Sequence, residues 1–165
     1  MKPQIKVFLT DVDGVLTDAG MYYTENGDEF KKFSTYDGMA FELLRSHGIK
    51  TGILTSEKTQ IVANRAKKIK ADYLYQGLNR DGKLQAAIEI CSMENISLME
   101  LAYIGDDLNC IGLLEKAGVA ACPVNARPEV KKIPGIIQLQ SRGGQGAVRE
   151  FVEKLLGEYS KSYNE

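Results

Sequence analysis

The chain has 165 residues, 44% hydrophobic and 26% charged, with a formal net charge of −1. That length suits one domain with a core of its own, and mixed charge of this kind makes no basic field to attract nucleic acid. No apolar run approaches the roughly 20 residues that would span a bilayer. MKPQIKVFLT at the start lacks the parts of an export signal, and Cys91, Cys110 and Cys122 form neither a C-x-x-C pair nor a disulfide framework. A single domain over 1–165 in a reducing cytoplasm is expected.

Taken in chain order, six short apolar runs read as buried strands: IKVFL at 5–9, KTGIL at 50–54, DYLY at 72–75, LAYI at 101–104, GVAAC at 118–122 and GIIQL at 135–139. Between them the apolar spacing predicts helices over 38–46, 59–68, 84–91, 108–116 and 146–156. Strand alternating with helix predicts a Rossmann-like, doubly wound parallel α/β sheet covered on both faces. One segment breaks the alternation. GMYYTENGDEFKKF holds aromatic stretches on either side of Asn26-Gly27, a strong hairpin signal, so a β-hairpin over about 20–34 should protrude after the first strand. Residues 157–165 read as a frayed tail.

In such sheets ligands bind at the carboxyl ends of the strands. The first run is followed by DVDGVLTD with Asp11 and Asp13, the second by Thr55-Ser56, the third, a few residues on, by Lys83, and the fourth by Gly105-Asp106-Asp107. Each can be read alone as a turn or cap: Thr55 as the cap of the next helix, Lys83 as a solvated lysine at a helix start. Together they bring two carboxylate pairs, a hydroxyl and an ammonium to one cavity. Such a set suits phosphate-ester hydrolysis, which can demand up to about 10²¹-fold acceleration. Asp11 can attack phosphorus to give an acyl phosphate, and Asp13 can protonate the leaving alkoxide and later deprotonate water. Asp11, Asp106 and the backbone carbonyl of Asp13 offer hard oxygen ligands to Mg²⁺. Thr55 can donate to a phosphoryl oxygen, and Lys83 can neutralise charge on the transferring group.

DVDGVLTD, ILTS, DGKL and YIGDDLN together resemble, in order, the four motifs of the haloacid dehalogenase-like phosphatases. FSTYDGMAFELL, ADYLYQG and RGGQGAVRE narrow the resemblance to the small, capless branch acting on 3-deoxy-octulosonate 8-phosphate or 2-keto-3-deoxynononate 9-phosphate. The resemblance implies a sugar-acid phosphate substrate, a supporting carboxylate at Asp107 and a homotetramer whose hairpins meet at the centre. Relatives often carry Asp where this chain has Cys110. Only 41 positions separate Asp13 from Thr55, leaving no room for a cap domain, so the apolar hairpin residues Met21, Tyr22, Tyr23, Phe30 and Phe33 are expected at an interface that closes the site.

Three segments bear on substrate choice. Glu57, beside Thr55, is read as accepting from sugar hydroxyls, while Lys68 and Arg65 on the following helix are read as meeting a carboxylate; this charge pattern resembles the nine-carbon branch, which implies the nine-carbon acid as substrate. Arg142, opening the glycine-rich run before the last helix, is a candidate ligand contact. Two other functions compete. A phospho-receiver would place its acceptor after the third strand, where this chain has Gln76-Gly77, and an idle oligomerisation domain would not need Asp11, Asp13 and Asp106 intact.

Overall fold

All six apolar runs become strands in the computed structural model, which describes residues 4–160, with side chains as far as Gly157. Chain order is β1 (Val7–Thr10), a hairpin of β2 (Tyr22–Tyr23) and β3 (Glu29–Phe30), α1 (Thr35–Ser46), β4 (Lys50–Leu54), α2 (Gln60–Lys68), β5 (Tyr73–Tyr75), α3 (Gly82–Glu94), β6 (Leu101–Ile104), α4 (Ile111–Leu114), β7 (Val119–Cys122), α5 (Pro128–Lys131), β8 (Ile137–Gln138) and α6 (Ala147–Ser160). Helix starts follow capping chemistry: Ser34 Oγ accepts from Tyr36 N ahead of α1, and Thr59 Oγ1 from Val62 N ahead of α2. The helix expected over 108–116 splits into a 3₁₀ turn, Leu108–Cys110, and the single turn of α4. Of the tail expected at 157–165, α6 runs on to Ser160, and residues 161–165 lie outside the described residues.

The main sheet is parallel throughout, in the order β5-β4-β1-β6-β7-β8. Alternation along β1 sends Val7 and Leu9 into one core and Phe8 into the other. The Phe8 side is covered by α1, α2 and α6, through Phe41, Leu44, Val62, Ala66 and Phe151. Ala87, Ile90, Leu113 and Val130 cover the other side. Phe8 and Phe151 meet with ring centroids 5.5 Å apart, and truncating Phe151 to alanine should cost about 3–5 kcal/mol.

Strand order fixes the site. From β1 the chain steps outward to β4 and β5, then crosses back to lay β6 on the other side of β1 and continues to β7 and β8. The reversal opens a crevice at the carboxyl ends of β1 and β6, where Asp11 and Asp106 stand.

Candidate active site

Asp11 follows β1, pinned by its backbone N–H to Ile104 O at 3.1 Å. Its carboxylate is engaged on both oxygens. Oδ1 accepts from Val12 N at 2.8 Å, and Oδ2 faces Lys83 Nζ at 2.8 Å and the Cys110 thiol at 3.1 Å. Lys83 is fully buried at the start of α3, not solvated. Burial alone would depress its ammonium, yet the Asp11 charge and the Cys110 sulfur outweigh that and hold its pKa above the ordinary lysine value.

Asp106 follows β6 and is buried. Burial, then the charges of Asp11 and Asp107, push its pKa up to about 7, against the opposing pull of Lys83. Its Oδ1 is buried, with no hydrogen-bond partner among the described residues. The turn after Asp13 makes room for this carboxylate. A Cβ on Gly14, whose φ is +82°, would lie 1.9 Å from Asp106 Oδ2. One ligand atom each from Asp11, Asp106 and Cys110 lie within 4.8 Å of one another. Two hard carboxylates, one with an orphaned oxygen and a raised pKa, fit a divalent cation, which would satisfy that oxygen and hold the group ionised.

Thr55 follows β4 and is also buried, with no partner for Oγ1 among the described residues. It does not cap α2, since Thr59 does. A buried hydroxyl facing no protein acceptor has its donor to spare for a ligand. Ser56 is exposed, its Oγ accepting from Asn109 Nδ2 at 3.0 Å. Asp107 is exposed and caps the turn at Leu108–Cys110 through Leu108 N, 2.7 Å from Oδ1. Cys110 lies against both Asp11 and Lys83, and burial pushes its thiol up to about 12, so it stays protonated there.

Glu57 is exposed just beyond Thr55. Two residues read as meeting a carboxylate lie apart from it within the same subunit. Because α2 starts at the carboxyl end of β4 and runs back toward the opposite edge of the sheet, Lys68, its last residue, stands about 12 Å along the axis from the helix start. It is carried away from the crevice of its own subunit. Arg65 is taken up by the fold: its Nη2 donates to Ser34 O at 2.9 Å, and its guanidinium lies 5.3 Å from the Phe33 ring. Phe33 itself packs against the core instead of joining the exposed hairpin face.

Arg142 is exposed, but its loop docks on the catalytic turn. Gly143 N donates to Asn125 Oδ1 at 2.7 Å, Asn125 Nδ2 to Gly14 O at 3.0 Å, and Gly144 N to Val15 O at 3.0 Å. A Cβ on Gly143 would meet Gly14 O at 2.0 Å.

Sequence reasoning missed Lys31. This hairpin lysine reaches Asp13, with Nζ 2.7 Å from Oδ1, and also lies 3.2 Å from Glu29 Oε1. The alternation Glu29-Phe30-Lys31 was a signal, since it puts both charges on the strand face opposite an exposed Phe30.

Comparison with known proteins agrees with this geometry. Residues 79–140 match the model of the haloacid dehalogenase-like hydrolase family. The chain is 33% identical to the 3-deoxy-D-manno-octulosonate 8-phosphate phosphatase KdsC of Escherichia coli K12, covering 92% of this chain and 79% of that one. The phosphatase of that name from Yersinia pestis superposes with a TM-score of 0.90 at 30% identity, over 95% of this chain and 83% of the other. Its counterpart from Moraxella catarrhalis, solved with magnesium ion, phosphate ion and a KDO molecule, superposes at 0.87 with 32% identity, over 96% and 93%. By sequence and by fold the chain belongs to the haloacid dehalogenase-like hydrolases, and among them to the KdsC-like phosphoric monoester hydrolases.

Proposed function

We propose that this protein hydrolyses the phosphate monoester of a 2-keto-3-deoxy sugar acid through a phosphoryl group carried on Asp11, in a reducing cytoplasm. The observation that carries the reading is the buried Asp11–Lys83 pair flanked by two orphaned polar atoms, Thr55 Oγ1 and Asp106 Oδ1. A carboxylate, an ammonium, a hydroxyl donor and a carboxylate oxygen free to ligate a metal are what in-line phosphoryl transfer asks of a protein.

Asp11 and Asp106, with the backbone carbonyl of Asp13, would hold Mg²⁺, which when bound screens phosphate from carboxylate and polarises the phosphoryl oxygens. Thr55 donates to one phosphoryl oxygen, and Lys83 offsets the charge that gathers on the group. An Asp11 oxygen attacks phosphorus; the ester P–O bond breaks, and its electron pair leaves with the alkoxide, which takes a proton from Asp13. Asp13, now ionised, removes a proton from water as that water attacks the phosphoryl group. The P–O bond to Asp11 then breaks, and inorganic phosphate departs.

Two substrates are to be separated. The relatives' names favour the eight-carbon acid, while Glu57, exposed beside Thr55, favours a sugar with further hydroxyls to donate to it, the nine-carbon 2-keto-3-deoxynononate 9-phosphate. The exposed Met21, Tyr22, Tyr23 and Phe30 support a homotetramer in which hairpins pack together and cover sites that have no cap of their own. Phosphate release from both sugar-acid phosphates, by wild type and by Glu57→Ala, tests the reading. A nononate enzyme should lose about 10-fold or more in kcat/KM on that substrate alone. A wild type faster on the octulosonate returns the eight-carbon assignment, and release from neither ends the proposal.

A further inference from the structure

One buried side chain of the hairpin takes no part in the chemistry above. Lys31 stands directly after β3, between the exposed Phe30 and Lys32, yet its side chain is 1% exposed. Its ammonium lies between two carboxylates, 2.7 Å from Asp13 Oδ1 and 3.2 Å from Glu29 Oε1. Burying a lysine against two half-buried acidic side chains, 29% and 19% exposed, is rarely the best route to stability, since apolar side chains in the same space often do as well. The geometry calls for another account.

A carboxylate that transfers a proton must present one chosen oxygen to the leaving group, and an Asp side chain turns freely about its last bond unless something holds it. Here the Lys31 ammonium takes Oδ1, while among the described residues nothing hydrogen-bonds to Oδ2. The hairpin that carries Lys31 is tied at its base by the Thr17–Phe33 bridge. Resting on the reading of Asp13 as the proton-transferring group, we propose that Lys31 is a positioning residue: it anchors Asp13 by Oδ1 and leaves Oδ2 to give and take the proton. The hairpin thereby reaches the reacting centre through one ammonium.

The test uses esters that differ in their need for an acid. 2,4-Dinitrophenyl phosphate has a leaving group that departs unprotonated, whereas the primary alkoxide of 3-deoxy-D-manno-octulosonate 8-phosphate needs a proton. Lys31→Met should lower kcat/KM on the alkyl ester on the order of 100-fold and on the aryl ester by less than about 5-fold, and Lys31→Arg should recover most of the loss. If the Met variant melts early, Lys31→Gln carries the same comparison. Equal losses on both esters would mean a scaffold role only. A raised KM with kcat preserved would mean a substrate contact. Either outcome, or no loss at all, overturns the proposal. A wild type that hydrolyses neither ester fails the phosphatase assignment instead, a result distinguishable from these.

Discussion

Lys83 Nζ lies 2.8 Å from Asp11 Oδ2, with side chains only 1% and 6% exposed, so neither charge is tolerable without the other. Removing one partner of a buried pair costs about 3–5 kcal/mol because an uncompensated charge remains. Lys83→Met and Asp11→Asn should each lower stability by about that much, and the double variant by clearly less than the sum. Chemical denaturation of the four proteins gives the coupling; additive losses would show that the two groups do not interact as drawn. Both single variants should also lose phosphate release, Asp11→Asn completely, because an amide cannot carry the phosphoryl group.

Gly14→Ala touches no group that reacts, yet it should silence the enzyme. The new Cβ falls 1.9 Å from Asp106 Oδ2, on backbone already at φ +82°. Asp106 must turn away and the proposed cation loses a ligand. Wild type should gain thermal stability with Mg²⁺ and lose activity in chelator. The variant should show little Mg²⁺-dependent gain, and a gain equal to that of wild type would rule out Asp106 as a ligand.

Asp37 offers a pH effect away from the metal ligands. It is buried at the start of α1, where its Oδ1 accepts from Arg149 N at 3.0 Å, and burial drives its pKa up to about 6 despite backbone hydrogen bonds from Arg149, Gly146 and Val148. A folded-state pKa above the unfolded 3.8 means stability that is fully present below about pH 4 and is lost as pH rises through about 6. The loss amounts to about 3 kcal/mol at most. Asp37→Asn does not titrate, so its Tm relative to wild type should climb between pH 4 and 7. A difference that stays flat across that range would refute the burial account.

Tyr22→Glu with Phe30→Glu should break the proposed tetramer. Both side chains are exposed and face each other across the hairpin, Tyr22 opposite Phe30, and like charges directly opposite repel. Sedimentation should show smaller species, with lower phosphate release although no reacting group has changed. A wild type that already sediments as a monomer would dispose of the idea.

The six strands and the residues at their carboxyl ends were legible because both signals are local: apolar runs of strand length, then polar residues at the one edge where the fold puts ligands. Thr55 and Lys83 were ambiguous from sequence, since burial is a tertiary property, and the structure removes both from solvent. What Lys68 faces was not legible: eleven residues beyond Glu57, it lies at the far end of a helix that leaves its own subunit's crevice. Arg65 was spent on Ser34 and Phe33, partners more than thirty residues back in the chain. Lys31 hid for a related reason. Its partner lies 18 residues earlier, across a turn and a hairpin whose conspicuous feature is its aromatic outer face.

The docking of the Arg142–Gly146 loop on the turn at Gly14 has a consequence in time. Asn125 grips Gly14 across 111 residues of sequence, and Asp37 meets Arg149 across 112. Contacts so distant along the chain form late, because loop closure must precede them. As the polypeptide leaves the ribosome, β1 and its nucleophile emerge early, while the segment that braces their turn arrives more than a hundred residues afterwards. During that interval Asp11 is an ordinary aspartate on a half-covered sheet, and the growing chain carries the phosphoryl acceptor without the means to use it.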